Sequence, residues 1–120
     1  MSTQRRSSRA ARRRTGSRLH RLKIRWTDRA RDDLTQILDF IAQDNPDAAV
    51  RWVNVLVEAV ERAGLFPLSG RVVPEIGRAE VREVIRRTYR IVYRVSEESV
   101  EVLTVFEGHR RFPVDAIPTD

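Results

Sequence analysis

Residues 28 to 64 constrain the fold most: they hold two apolar stripes at helical spacing, cut apart by Asp44-Asn45-Pro46. Ala30, Leu34, Ile37, Leu38 and Ile41 form the first stripe; Ala49, Trp52, Val53, Leu56, Val60 and Ala63 form the second. Thr27 offers a hydroxyl N-cap, with Asp28 as a negative charge in the first turn. Asn45 caps the second helix, and Pro46 suits its first position, where the missing N–H costs little. Gly64 reads as the C-cap, and Pro67 bars continuation. Two amphipathic helices joined this tightly fold back as an antiparallel hairpin.

Strand patterns flank the hairpin. Leu22, Ile24 and Trp26 alternate with Lys23 and Arg25, the period of a half-buried strand. After a loop with Pro67, Gly70, Pro74 and Gly77, three more strands follow at Val81 to Arg86, Tyr89 to Val95 and Val100 to Phe106. Ser96-Glu97-Glu98-Ser99 links the last two. Pairing Val95 with Val100 sets Arg94 opposite Glu101. That register places Tyr89, Ile91, Tyr93, Val95, Val100, Val102 and Phe106 on one face, and Arg90, Val92, Arg94, Leu103 and Val105 on the other. The order predicts an α+β domain: an N-terminal strand, an antiparallel two-helix hairpin on one face, then a three-stranded antiparallel meander. The expected boundaries are a disordered arginine-rich arm over 1–21, a domain over 22–113 and a short tail over 114–120.

Charge is unevenly placed. Residues 1–21 carry eight arginines and no acid, while the other 99 residues hold 15 basic and 17 acidic residues. The pI near 11.1 therefore belongs to the arm. An arm of this composition lacks the apolar area to fold and suits non-specific contact with nucleic acid. Within the domain, residues 71–94 hold seven arginines against three glutamates, and Arg110 and Arg111 follow the last strand. Arg71, Arg82, Arg90, Arg110 and Arg111 thus form a candidate anion surface, with Arg82, Arg90 and Arg110 expected to converge on the open side or rim of the sheet. His109 is the side chain suited to acid–base work near neutrality. Asp28, Asp32 and Asp33 read as solubilising charge. Trp26 and Trp52 read as core.

Other classes are excluded. The chain has no cysteine, so no disulfide or thiolate metal site forms, and no metal or cofactor is expected. No apolar run approaches the ~20 residues of a membrane span, so a cytoplasmic protein is expected.

Five stretches give residues 22 to 113 a resemblance to the RelE/ParE toxin superfamily. They are Lys23-Ile24-Arg25-Trp26-Thr27-Asp28-Arg29-Ala30, Ile41-Ala42-Gln43-Asp44-Asn45-Pro46-Asp47-Ala48-Ala49 and Phe66-Pro67-Leu68-Ser69-Gly70-Arg71. Arg82-Glu83 with Tyr89-Arg90-Ile91-Val92-Tyr93-Arg94-Val95, and Val102-Leu103-Thr104-Val105-Phe106-Glu107-Gly108-His109-Arg110, complete the set. The resemblance implies a toxin held inactive by a cognate antitoxin that folds across hairpin and sheet, with Leu34, Trp52, Leu56 and Arg94 as expected contacts. RelE-like members cleave mRNA on the ribosome; ParE-like members inhibit DNA gyrase. Arg90 and Arg110 match the two RelE arginines. The RelE tyrosine falls on Ala116, and the second-strand lysines fall on Val81, Arg82 or Glu83. Some ribonuclease relatives use a histidine near His109. The long hairpin, the Ser-Gly-Arg loop and the missing tyrosine look more like ParE. The expectation is a gyrase inhibitor acting by protein contact. The alternative is an mRNA endoribonuclease using Arg90, His109 and Arg110. A third reading is a non-toxic remnant or an RNA-binding module working through its basic arm.

Overall fold

The computed structural model describes residues 21–119, so the expected arm, apart from Arg21, lies outside the described residues. The elements run β1 (Lys23–Trp26), α1 (Asp28–Asp44), α2 (Pro46–Leu65), β2 (Arg71–Val72), β3 (Val81–Arg86), β4 (Tyr89–Val95) and β5 (Ser99–Glu107). They form one sheet in the order β1-β5-β4-β3-β2, antiparallel except where β1 runs parallel to β5. The α+β expectation holds, with a two-residue edge strand added.

The predicted caps form. Thr27 Oγ1 accepts the Ala30 N–H at 3.1 Å and donates to the Val102 carbonyl at 3.0 Å, so one hydroxyl starts α1 and ties it to β5. Asn45 Oδ1 accepts the Ala48 N–H at 3.1 Å. Gly64 is not the C-cap; α2 runs through it to Leu65. It serves packing instead: the Leu22 N–H donates to its carbonyl, and a Cβ there would stand 2.8 Å from Ile24 Cδ1.

The hairpin covers one face of the sheet. Ala30, Trp52, Leu56, Ala59 and Val60 meet Ile91, Val102 and Val105 in the main core. The opposite face is not open. Val81, Val92, Leu103 and Phe106 are covered there by Val73 from the β2–β3 loop and by Phe112 and Ile117. The segment expected as a tail from 114 therefore carries a core residue.

Register holds at one end of β4–β5 and shifts at the other. Val95 pairs with Val100 and Arg94 with Glu101 as expected, and the Arg94–Glu101 ion pair forms at 3.0 Å. Tyr93 faces Val102 but Val92 faces Thr104, leaving Leu103 as an extra residue in a bulge. One added residue exchanges faces beyond it. Phe106, expected beside Tyr89, lies on the far face, and Val105 takes the hairpin side. Asp33 of α1 holds the bulge by accepting from Thr104 Oγ1 at 2.5 Å and from the Val105 N–H at 3.2 Å. Asp33 is thus an anchor, not solubilising charge.

Candidate functional site

The expected convergence of Arg82, Arg90 and Arg110 does not occur. Side chains alternate along β3, so Val81, Glu83 and Ile85 face away from the hairpin while Arg82 faces it. Arg82 spends its guanidinium on the carbonyls of Ala79 at 2.8 Å and Gly70 at 3.0 Å, fixing the entry to β2. Arg90 lies on the opposite face. Arg110 sits past β5 in an exposed turn.

Arg90 is buried and saturated. Its Nε donates to Glu83 at 2.6 Å, and Nη1 and Nη2 grip both Glu75 oxygens at 2.9 and 2.8 Å. The Phe106 and Phe112 ring centroids each lie 5.2 Å from its guanidinium carbon. Arg71 Nε takes the other Glu83 oxygen at 2.6 Å. Two arginines and two glutamates thus make a closed network around Glu83, which is 1% exposed. A carboxylate so placed persists only when paired. The hydrogen bond from Arg90 holds the Glu75 carboxyl down at about 2, and the same contact raises Arg90 further above its ordinary range. Sequence reading put Arg71 and Arg90 on an anion surface but missed the glutamates that occupy them. The available signal was Glu83 itself, an acid inside an otherwise apolar strand face.

The residues expected to meet an antitoxin lie at different depths. Trp52 and Leu56 are core residues, 7% and 0% exposed. The Trp52 ring stacks obliquely on Tyr89 at 5.5 Å, with the Arg87 guanidinium 5.4 Å from its centroid. Leu34 is half-buried against the same core, and Arg94 is held by Glu101. The apolar groups the hairpin does expose are Phe40, Val50 and Val57.

At the Glu107 end of β5, a cleft of about 440 Å³ opens between α1 and the sheet, lined by residues that include Phe40, Tyr89, Glu107, Arg110 and Arg111. Burial raises the Tyr89 hydroxyl, with Glu107 adding to the shift and Arg110 opposing it. His109 Nε2 lies 3.1 Å from Glu107 Oε1, both at the surface. Ala116, where RelE carries its tyrosine, stands in a single 3-10 turn and offers no phenol. Among the described residues, no group of His, Cys, Asp or Glu is placed to hold a metal, and no helix is long and apolar enough to cross a membrane.

A strand, a helical hairpin and an antiparallel sheet carrying this pattern of arginines define a toxin of the RelE/ParE superfamily. Residues 24–112 match the family described as ParE toxin of the type II toxin–antitoxin system parDE, and the chain belongs to that family. It is similar to "Putative toxin Y4kP" of Sinorhizobium fredii, 40% identical over 79% of this chain and 97% of the relative. It is also similar to toxin RelE2 of Caulobacter vibrioides, 34% identical over 73% of this chain and 97% of that one. Among solved structures, the chromosomal ParDE system of P. aeruginosa shares the fold at a TM-score of 0.60 and 24% identity, covering 72% of this chain and 95% of that chain. The toxin–antitoxin complex RelBE2 of Mycobacterium tuberculosis aligns at a TM-score of 0.50 and 26% identity, covering 72% and 91%.

Proposed function

We propose that this type II toxin acts as a ParE-like inhibitor of DNA gyrase, through protein–protein contact in the cytoplasm, and is neutralised by a cognate antitoxin. The observation that carries this reading is the state of Arg90. Cleavage of RNA by attack of a 2′-hydroxyl needs a base, an acid and cations on the phosphorane. Arg90 has both edges of its fork committed to Glu75 and Glu83, and turning it to a phosphate would leave Glu83 buried without its partner. Ala116 supplies no phenol. Inhibition by contact requires neither group. The exposed Phe40, Val50 and Val57 suit an antitoxin segment that folds on binding, in place of the buried Trp52 and Leu56.

A second reading rests on the contact between His109 and Glu107 at 3.1 Å, an acid–base pair beside Arg110 in the alternative endoribonuclease. One pair of assays separates the two. Purified toxin is expected to stabilise gyrase-cleaved DNA and to leave mRNA intact on translating ribosomes. Untouched gyrase together with mRNA cleavage that His109→Ala abolishes would replace the first reading by the second.

A further inference from the structure

β1 is the outermost strand on its side of the sheet, and no described strand lies beyond it. The Lys23 N–H donates to the Glu98 carbonyl at 3.0 Å, and the Thr27 N–H to the Val102 carbonyl at 3.1 Å. Lys23, Arg25 and Thr27 therefore aim their backbone groups at β5, and the residues between them face the other way. Those residues are Ile24 and Trp26, whose N–H and C=O groups point to the outer edge. Leu22 lies on the same side, but its N–H donates to the Gly64 carbonyl. The end of α2 thus covers the start of the edge, and past Leu22 four strong hydrogen-bonding groups are left without a partner strand.

The side chains on each face say what would fit there. On the far face, Arg25 stands opposite Glu101 of β5, and Glu101 opposite Arg94 of β4. Glu101 gives its carboxylate to Arg94. Across the sheet the charges run positive, negative, positive, and the row stops at the edge on a cation. Lys23, next to Arg25 on that face, is also exposed. On the hairpin face, Ile24 and Trp26 pack against the main core and stay partly open to solvent. We infer that the edge of β1 takes an extended segment of another protein, added as a sixth strand. In that segment, acidic residues facing Lys23 and Arg25 alternate with apolar residues facing Ile24 and Trp26. A second copy of this chain supplies the wrong charge. Pairing β1 antiparallel to itself with like faces together sets Arg25 opposite Arg25, or Lys23 opposite Arg25, and cations so placed repel. The chain's own N-terminal arm fails for the same reason, since residues 1–21 carry eight arginines and no acid.

The test is an NMR titration of the full isotope-labelled chain with a short peptide that alternates glutamate and valine. A peptide alternating lysine and valine is the comparison, and no gyrase is present, so the outcome is separate from that of the gyrase assay. At saturation the glutamate peptide is expected to slow hydrogen exchange at the Ile24 and Trp26 amides by about tenfold. The Arg25 amide, already bonded to β5, is expected to change little. The parent should bind the glutamate peptide on the order of tenfold more tightly than the lysine peptide. Lys23→Glu/Arg25→Glu alters two exposed side chains and is expected to reverse that preference. Equal affinity for the two peptides would overturn the inference, as would no binding, or binding that leaves the Ile24 and Trp26 amides unprotected. Protection already present in the chain alone, and lost on dilution or on deleting residues 1–20, would give the edge to a second copy or to the arm and overturn it as well.

Discussion

Glu83 and Arg90 meet diagonally across β3 and β4, Nε to Oε1 at 2.6 Å, with both side chains almost wholly out of water. Their charges are spent on one another, on Arg71 and on Glu75, and this decides what the sheet's second face is for. It is a packed, neutralised layer that secures the β2–β3 loop and the segment after β5.

Breaking that pair is expected to be costly. Glu83→Gln leaves Arg90 buried with one carboxylate fewer and is expected to destabilise the domain by about 3–5 kcal/mol. The double variant Glu83→Leu/Arg90→Met, which removes both charges while keeping bulk, is expected to lose less than the single one. Urea unfolding of the two variants checks the order. A double variant weaker than the single one would contradict it.

Acid should loosen the β2–β3 loop through Glu75. Its folded-state value is about 2, against an ordinary 4.5. A carboxyl depressed on folding contributes stability that is present above 4.5 and is lost as pH falls toward 2. The group is 40% exposed, so solvent screening keeps the contribution modest. Between pH 4.5 and 2 the urea midpoint of Glu75→Gln is expected to fall less steeply than that of the parent. Parallel slopes would rule the contribution out.

Asp33→Ala removes the carboxylate that accepts from the Thr104 hydroxyl and from the Val105 N–H, just beyond the bulge at Leu103. Leaving those donors unmet is expected to cost about 2–3 kcal/mol. Faster hydrogen exchange at the Val105 amide, without a comparable change at Ile91, would locate the damage at the bulge.

Gly70→Ala is expected to disturb the loop after α2. A Cβ there would run into Tyr93 Oη and stand 2.7 Å from the Glu83 carbonyl oxygen. Tyr93 donates its hydroxyl to the Pro67 carbonyl at 3.0 Å, so it cannot retreat without breaking that bond. Destabilisation of about 1–3 kcal/mol is expected by thermal unfolding. Gly77→Ala, which meets no atom within 4 Å but stands at φ 70, should cost only backbone strain.

The hairpin was legible because its signals are local: Thr27, Asn45 and Pro46 act within four residues of themselves. The Arg94–Glu101 pairing followed from a short link between two clear strands. Other features depended on partners far along the chain. The bulge at Leu103 is fixed by Asp33, about seventy residues earlier, and no period within β5 records it. Edge strand β2 has two residues, too few to show alternation. Charge counting found the arginines, but a count does not tell which face a side chain takes, so Arg82 and Arg90 were grouped although the sheet lies between them. The site suffered most, since the acids that fill Arg90 lie 7 and 15 residues away, and an acid in the apolar face of β3 does not say which cation it meets.

The parallel contact between β1 and β5 bears on when this protein exists as a folded object. The first strand of the domain waits for the last, and β5 also supplies β4 with its inner neighbour. Long-range closure of this kind is slow and comes late. During synthesis the two helices emerge early but have no finished sheet to rest on. A growing polypeptide therefore cannot complete this sheet until β5 has left the ribosome, and until then the apolar face of the hairpin has no strands to cover it.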